Sequence, residues 1–502
     1  YEATQALQAL QVSTGSRALI GDQPGYGLPT ALIFRLFDAT DFAARFWPAL
    51  AGACMVWLPL LFRKVLPGRV PLWLSFFLAI DPAGISIART ASAESLAVLA
   101  SLAALGFLLQ HKPIYAGIFL GIALCCGSLF WSGILVLVLV IMAVSLFLNV
   151  QPFSDMKGKD AGMIAGVAAL TAGLLASGFL FLPNGITGIA NGLLSYLGQW
   201  GRSGILSLKT FLLLFVMTYL PVLILSVYGL IQTSKRQKSH FIVLLIWVII
   251  ALALALLRPD RQISEWIWVI IPLWIGAAFG MDSFTLHRKE EEKGVFLAET
   301  VLTVSLVLFG FLNLLAYLFN SYSDPVVDRN RLIGAILPVV LLIIVTTFLA
   351  WGWSRRSAFK GLEAGLGFLL TVWVLSAAMK GSGFLTQPSA LGWKPQSITT
   401  GERLLVSQVE ELSLWNHGNR TSIDIEVVHY DFPSLRWALR KFPNVYWEDQ
   451  FSPIETPSVI IAPDYQQVGS TTLYRGQAIS WGQLPAYPQM KLTDWIRWTI
   501  YR

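Results

Sequence analysis

Apolar residues in this chain come in long blocks rather than in alternation. The blocks cover about 44–62, 70–88, 94–110, 113–129, 130–149, 161–182, 209–232, 240–257, 265–283, 296–318, 331–352 and 360–379. A bilayer core about 30 Å thick needs roughly 20 apolar residues per helix, so the pattern predicts twelve spans. Pro67-Gly68, His111-Lys112, Asp155–Lys159, Lys235-Arg236, His287–Lys293 and Arg355-Arg356 punctuate them. Ahead of the first block, Glu2–Gln11 carries apolar residues at helical spacing with a polar opposite face and stops at Ser13-Thr-Gly-Ser, the pattern of a helix lying on a membrane surface. Gly21-Asp-Gln-Pro-Gly-Tyr-Gly reads as a tight loop. A second amphipathic stretch, Leu28–Phe37, then leads through Asp38 and Asp41 to Arg45. From about residue 384 the chain turns polar: Ser422–His429 and Ser458–Ala462 read as strands, Pro433–Phe442 as a short helix and Thr471–Trp481 as a strand pair. The tail from Asp494 is amphipathic and aromatic, suited to lying back on the membrane interface or on the C-terminal unit itself.

The expected fold is therefore an all-α polytopic membrane domain with a small external α/β C-terminal domain. Its regions are 1–43 (external loop with amphipathic helices), 44–383 (transmembrane) and 384–502 (α/β). Composition agrees. Of 502 residues, 55% are hydrophobic and 13% charged, where a soluble domain carries roughly 25% charged; mean hydropathy is +0.63. Cys54, Cys125 and Cys126 sit in apolar stretches, so neither a disulfide framework nor a metal-type spacing is present. Basic residues segregate into alternate loops, with Arg63, Lys64, Lys157, Lys235, Arg288 and Arg355 among the richer set. That set is assigned to the cytoplasm, which puts the visible N-terminus and the C-terminal domain outside. An external N-terminus calls for one further span before Tyr1, thirteen in all, or for a cleaved signal peptide.

The external edge gathers the costly charges. Asp81, Arg89 and Glu94 fall in one loop, with Arg89 and Glu94 five residues apart and able to pair. Ionisable groups at membrane depth point to function, although a buried pair locking two helices is the competing reading. Arg258 and Arg261 suit a phosphate or pyrophosphate, because guanidinium groups grip such oxygens in bidentate fashion. Arginines at a helix end also simply snorkel to headgroups. No cofactor is demanded; a divalent metal stays open, with no residue pattern asking for one, and nothing points to nucleic acid.

Tyr1-Glu2-Ala3 before an amphipathic helix, Gly21-Asp22-Gln23-Pro24-Gly25-Tyr26, and Ala88-Arg89-Thr90-Ala91-Ser92-Ala93-Glu94-Ser95-Leu96 occur in that order. This order resembles the multi-span glycosyltransferases of the GT-C type that use polyprenyl-phosphate sugars, the protein-mannosyltransferase and aminoarabinose-transferase group. The three segments are similar to its Asp-Glu-Ala motif, its Gly-Glu-Lys-Pro-Pro-Leu loop and its Arg-Glu-Ala-Arg-Pro-Asp-x-Leu stretch. Leu435–Val445 also resembles the C-terminal helix of a prokaryotic subgroup associated with flippases of lipid-linked sugars. The resemblance implies sugar transfer from a polyprenyl-phosphate donor to a protein, lipid or glycan acceptor at the outer face of a prokaryotic plasma membrane. Membrane lipids and other membrane subunits are the surroundings it leaves open. It implies Glu2 and Glu94 as catalytic carboxylates, and Arg89, Asp22, Gln23, Tyr26, Arg258 and Arg261 as substrate-binding residues. Three motif positions depart from the pattern: Tyr1 stands where the family has its catalytic Asp, Gln23 where it has Lys, and Ser92 where it has a second Arg. Two alternatives stand beside the enzyme: a catalytically inactive relative serving as a lipid-binding or scaffold subunit, and a transporter or flippase.

Overall fold

The computed structural model describes residues 2–15, 21–149, 156–204, 206–286, 293–319, 325–381, 397–398, 401–449, 457–463, 474–479, 481–483, 491 and 494–495. Each of the twelve apolar blocks falls on helix. The first block is α3 (Asp41–Met55) with a 3₁₀ turn (Leu58–Phe62). The next is α4 (Val70–Ala79) and α5 (Pro82–Ala88), bent by 57°. Then come α6 (Glu94–Leu109), α7 (Pro113–Leu124), α8 (Ser128–Leu148), α9 (Gly158–Ala176), α11 (Leu208–Arg236), α12 (Lys238–Leu257), α13 (Ile267–Leu286), α14 (Lys293–Phe319), α15 (Pro325–Leu349) and α16 (Arg355–Gly381). Among the described residues seven helical runs are long and apolar enough to cross a bilayer, eight if the bent pair counts as one.

One of those runs, 325–379, is two passes. As a straight helix its Thr346 and Gly361 would stand about 22 Å apart. Yet Thr346 hydrogen-bonds Glu299, and Gly361 packs so closely on Glu299 that a side chain there would collide. The chain therefore folds back, and the reversal is a π turn at Ala350–Ser354. The expected punctuation at Arg355-Arg356 thus lies one step late: these residues already open α16.

α13 is the hub. Its segment is almost wholly enclosed, with Trp266, Trp268 and Trp274 fully buried. It meets α11 backbone to backbone, because a Cβ on Gly229 would fall on the Gly276 carbonyl. Close approach through small residues is how helices associate where lipid removes the hydrophobic drive. By contrast α9, α12, α14 and the α15–α16 run bury little of themselves, as lipid-facing helices do.

Asp81 explains the bend between α4 and α5. Its carboxylate caps α5 by accepting from Gly84 N (2.6 Å), and it also accepts from Trp274 Nε1 (2.9 Å) and Tyr219 Oη (3.4 Å). It is fully buried, so Asp81→Ala leaves three donors without their acceptor. That substitution is expected to cost about 3 kcal/mol, and Asp81→Asn, which keeps one oxygen, distinctly less. Unfolding titrations in mixed detergent–SDS micelles read the difference.

The N-terminal segment forms α1 (Glu2–Ser13) and α2 (Pro24–Phe37). The expected loop at 21–27 is thus shorter than the sequence suggested. Pro24 takes the first helical position, where its missing N–H is no loss, and the helix runs from there. α10 (Ile186–Gly198) is a further helix between α9 and α11, which apolar-block counting passed over.

Beyond α16, α17 (Gly401–His417) and α18 (Pro433–Ala438) accompany a parallel sheet. Its strands are β2 (Ile425–Val428), β3 (Val445–Glu448) and β4 (Val459–Ile461), in the order β3-β2-β4. Ile425 registers with Val445 on one side and Val459 on the other. The central strand is buried throughout, as parallel strands are. Ser397–Ile398 (β1) pairs antiparallel with Gly482–Gln483 (β5). The strand pair expected at 471–481 is not formed in its described part: residues 474–479 carry no regular structure, and residues 471–473 lie outside the described residues. In the tail, Trp495 packs into the same core as the membrane helices, and residues 496–502 lie outside the described residues.

Candidate functional site

The sequence-predicted residues collect at two places. The first is a corner formed where α1, the turn before α2, the start of α3 and the start of α6 converge. Glu2 opens α1, and its Oε2 accepts from Arg45 Nη2 at 3.0 Å. Glu94 opens α6 with its side chain beside Ser264 and within electrostatic reach of Glu2. Glu94 does not pair with Arg89. α5 ends at Ala88 and the chain turns through Arg89–Ser92 before α6 begins, and among the described residues no ion pair joins the two. Arg89 stays exposed, and among the described residues its guanidinium has no hydrogen-bond or ion-pair partner.

The rest of the corner is scaffold. Gln23, 3% exposed, accepts from Ala93 N through Oε1 at 2.8 Å, which ties the turn before α2 to the start of α6. A lysine could not accept that bond. Asp22 Oδ1 accepts from Gln5 Nε2 at 3.0 Å. Gly25 donates its N–H to the Cys125 carbonyl at 2.8 Å, and a Cβ there would press on that same oxygen. Tyr26 is buried and donates to the Ala44 carbonyl at 2.9 Å, fixing α2 against α3.

The second place is the turn between α12 and α13. Arg258 is 1% exposed and pairs with Glu265, 4% exposed. It also donates to Gln199 Oε1 at 2.8 Å and stands 4.8 Å over the Tyr196 ring. Arg261 donates to the Leu206 and Leu256 carbonyls at 3.4 and 3.3 Å. Both arginines are thus engaged with protein groups, and Ser264 in the same turn connects this place to Glu94.

Sequence reasoning missed the lid of the corner. Asp41 accepts from Trp437 Nε1 at 2.9 Å and Arg440 Nη2 at 3.1 Å, so the C-terminal unit sits directly on the start of α3. The signal available was the four-residue spacing of Asp41 and Arg45 on one helix face; their partners some 400 residues on carried none. Glu402, half-buried at the start of α17, joins them. Burial and then Asp41 push its carboxyl above the usual range, while Arg440, Arg45 and Arg403 pull it down. Between the ordinary and the raised value the folded protein binds more protons there than the unfolded chain. Stability falls as pH rises from the ordinary carboxylate range through the raised value. Glu402→Gln is expected to remove that slope and raise the melting temperature slightly at neutral pH, as thermal melts across pH 4–8 would read (roughly the span of a raised carboxyl).

Apolar helices, most of them turned to lipid around one enclosed helix, make this a polytopic helical membrane protein with a small α/β unit seated on one end. No family model matches the chain, and no curated protein matches it in sequence. Its fold is similar to that of ArnT from Cupriavidus metallidurans, solved in the apo state. The TM-score is 0.52 at 14% identity, over 88% of this chain and 79% of that one. At that identity the likeness is one of fold.

Proposed function

We propose that the chain is a membrane glycosyltransferase that takes a sugar from a polyprenyl-phosphate carrier and passes it to an acceptor hydroxyl outside the membrane. The observation that carries this reading is that Glu2 and Glu94 stand within electrostatic reach of each other at one corner of a fold similar to that of ArnT. The donor class comes from the resemblance of the Tyr1–Ala3, Gly21–Tyr26 and Ala88–Leu96 segments to the polyprenyl-phosphate-dependent glycosyltransferases. In this reading Glu2 is the base that takes the acceptor proton, and Glu94 is a second carboxylate shaping the cleft. The carrier phosphate leaves as a stable anion and needs compensating charge rather than a proton. Of the three arginines considered, Arg89 is the one whose guanidinium has no partner among the described residues, and it takes that role. Gln23, Asp22 and Tyr26 hold the corner in shape, and Arg258 and Arg261 hold the turn that carries Ser264.

Purified protein in nanodiscs, given radiolabelled polyprenyl-phosphate sugars and an envelope extract as acceptor, is expected to transfer label. Absence of transfer by folded wild-type protein sinks the enzyme reading. Retained binding of the labelled lipid in that case supports the second one, a lipid-binding subunit without catalysis. What favours that second reading is the commitment of Glu2 to Arg45 and of Gln23 to the Ala93 amide.

A further inference from the structure

Asp41 and Arg45 are four residues apart on α3, so their side chains leave the helix on the same face. From one side the C-terminal unit holds Asp41. Arg440 donates to it at 3.1 Å, lies 4.0 Å over the Trp437 ring and donates through Nε to the Ala39 carbonyl at 2.8 Å; Trp437 itself donates to Asp41. From the other side Arg45 holds Glu2 at 3.0 Å. The four charges alternate in the order Arg440, Asp41, Arg45, Glu2, with Glu402 feeling Asp41, Arg440 and Arg45 together.

We propose that Arg45 is a positioning residue that ties the Glu2 carboxylate to the seating of the C-terminal unit, so that releasing Arg440 from Asp41 draws Arg45 off Glu2. The cause is competition. While Arg440 is docked, Asp41 has a cation of its own and leaves Arg45 to Glu2. Once Arg440 is gone, Asp41 keeps the neutral Trp437 donor but has no cation of its own, one helical turn from a flexible guanidinium. An i,i+4 acid–base pair is favourable enough to compete with a half-exposed ion pair. Seating of the C-terminal unit then sets where the Glu2 carboxylate points. Its role as base rests on the function proposed above, but the coupling does not.

A thiol at position 2 reports the field there without any need for turnover. The parent is the full-length Glu2→Cys protein with Cys54→Ala, which removes the exposed native cysteine and leaves the buried Cys125 and Cys126. The groups facing that thiol are Arg45, Glu94 and Tyr26, with Glu402 acting through Arg45. The rate of alkylation by iodoacetamide is followed against pH. Arg45→Gln is expected to move the midpoint up by about one pH unit, the effect of losing an adjacent cation. Arg440→Gln is expected to move it the same way by less, and Asp41→Asn added to Arg440→Gln to bring it back. If Arg440→Gln does not fold, Arg440→Lys, which keeps the charge but not the fork, is expected to give a smaller shift of the same sign. No shift on losing Arg440, or a shift that Asp41→Asn fails to reverse, overturns the proposal: the second result would mean that seating acts by bulk contact alone. Midpoints that move as expected in a protein that transfers no sugar would remove the proposed function and leave the coupling standing.

Discussion

Glu2→Gln is expected to lower sugar transfer about 10²–10⁴-fold, the contribution typical of a positioned general base. Glutamine keeps the size of the side chain, and its amide oxygen still accepts from Arg45, so the corner should keep its shape. What is lost is the capacity to take a proton from the acceptor hydroxyl. The loss should fall on the chemical step and leave donor binding largely unchanged, which single-turnover assays with preloaded labelled lipid can separate. Glu94→Gln should cost less, because the amide keeps the size of the side chain beside Ser264 and only the second charge disappears. An equal loss in both variants would make the two carboxylates a single unit and count against Glu2 as the lone base. An unaffected Glu2→Gln protein would remove it from the chemistry.

The second large effect is expected at Arg258. Arg258→Met leaves Glu265 as a buried carboxylate without its cation, and Gln199 without its donor. Breaking a buried ion pair on one side costs about 3–5 kcal/mol, because the surviving charge has neither water nor a partner. Removing both, as Arg258→Met with Glu265→Leu, is expected to recover most of that, since well-packed apolar groups of like volume replace such pairs at little cost. The midpoint of SDS-driven unfolding in mixed micelles reads both changes. A single variant as stable as wild type would show that Glu265 already finds compensation elsewhere, and a double variant no better than the single would assign the loss to packing. Ser264 lies next to Glu265 and beside Glu94, so the single variant should also slow transfer.

The membrane helices were legible because length and hydropathy are local properties of the chain. α10 was not, because a 13-residue helix between spans is neither long enough to cross nor polar enough to read as a loop. The α15–α16 reversal was legible as two apolar blocks, but its turn was not: Ala350-Trp-Gly-Trp-Ser carries one Gly and no Pro, so the two arginines beyond it drew the boundary. α17 was missed although Leu405 and Val409 lie one turn apart on its inner side, because Glu402, Glu410 and Glu411 make the segment read as polar. At the site, the short-range features were readable: the Glu2 helix, the Asp22-Gln23 turn, and Glu94 at the head of a span. Partnerships across long stretches of sequence were not. Nothing local says that Arg440 meets Asp41, that Glu94 lies beside Ser264 and is not paired with Arg89, or that Gln23 caps the Ala93 amide.

The enclosure of α13 has a consequence for how the protein is made. Its principal neighbours, α4, α11 and α12, all precede it in the chain. The polar residues of α13 and of the turn that leads into it depend on earlier segments too: Asp282 accepts from the Arg69 amide at 3.0 Å, and Glu265, just ahead of the helix, meets Arg258. As the ribosome delivers the chain from its N-terminus, α13 thus arrives at a socket whose walls have already been inserted. It can pass from the translocon into protein without waiting in lipid with its carboxylates bare, whereas the lipid-facing α14–α16 can be added afterwards around a finished centre.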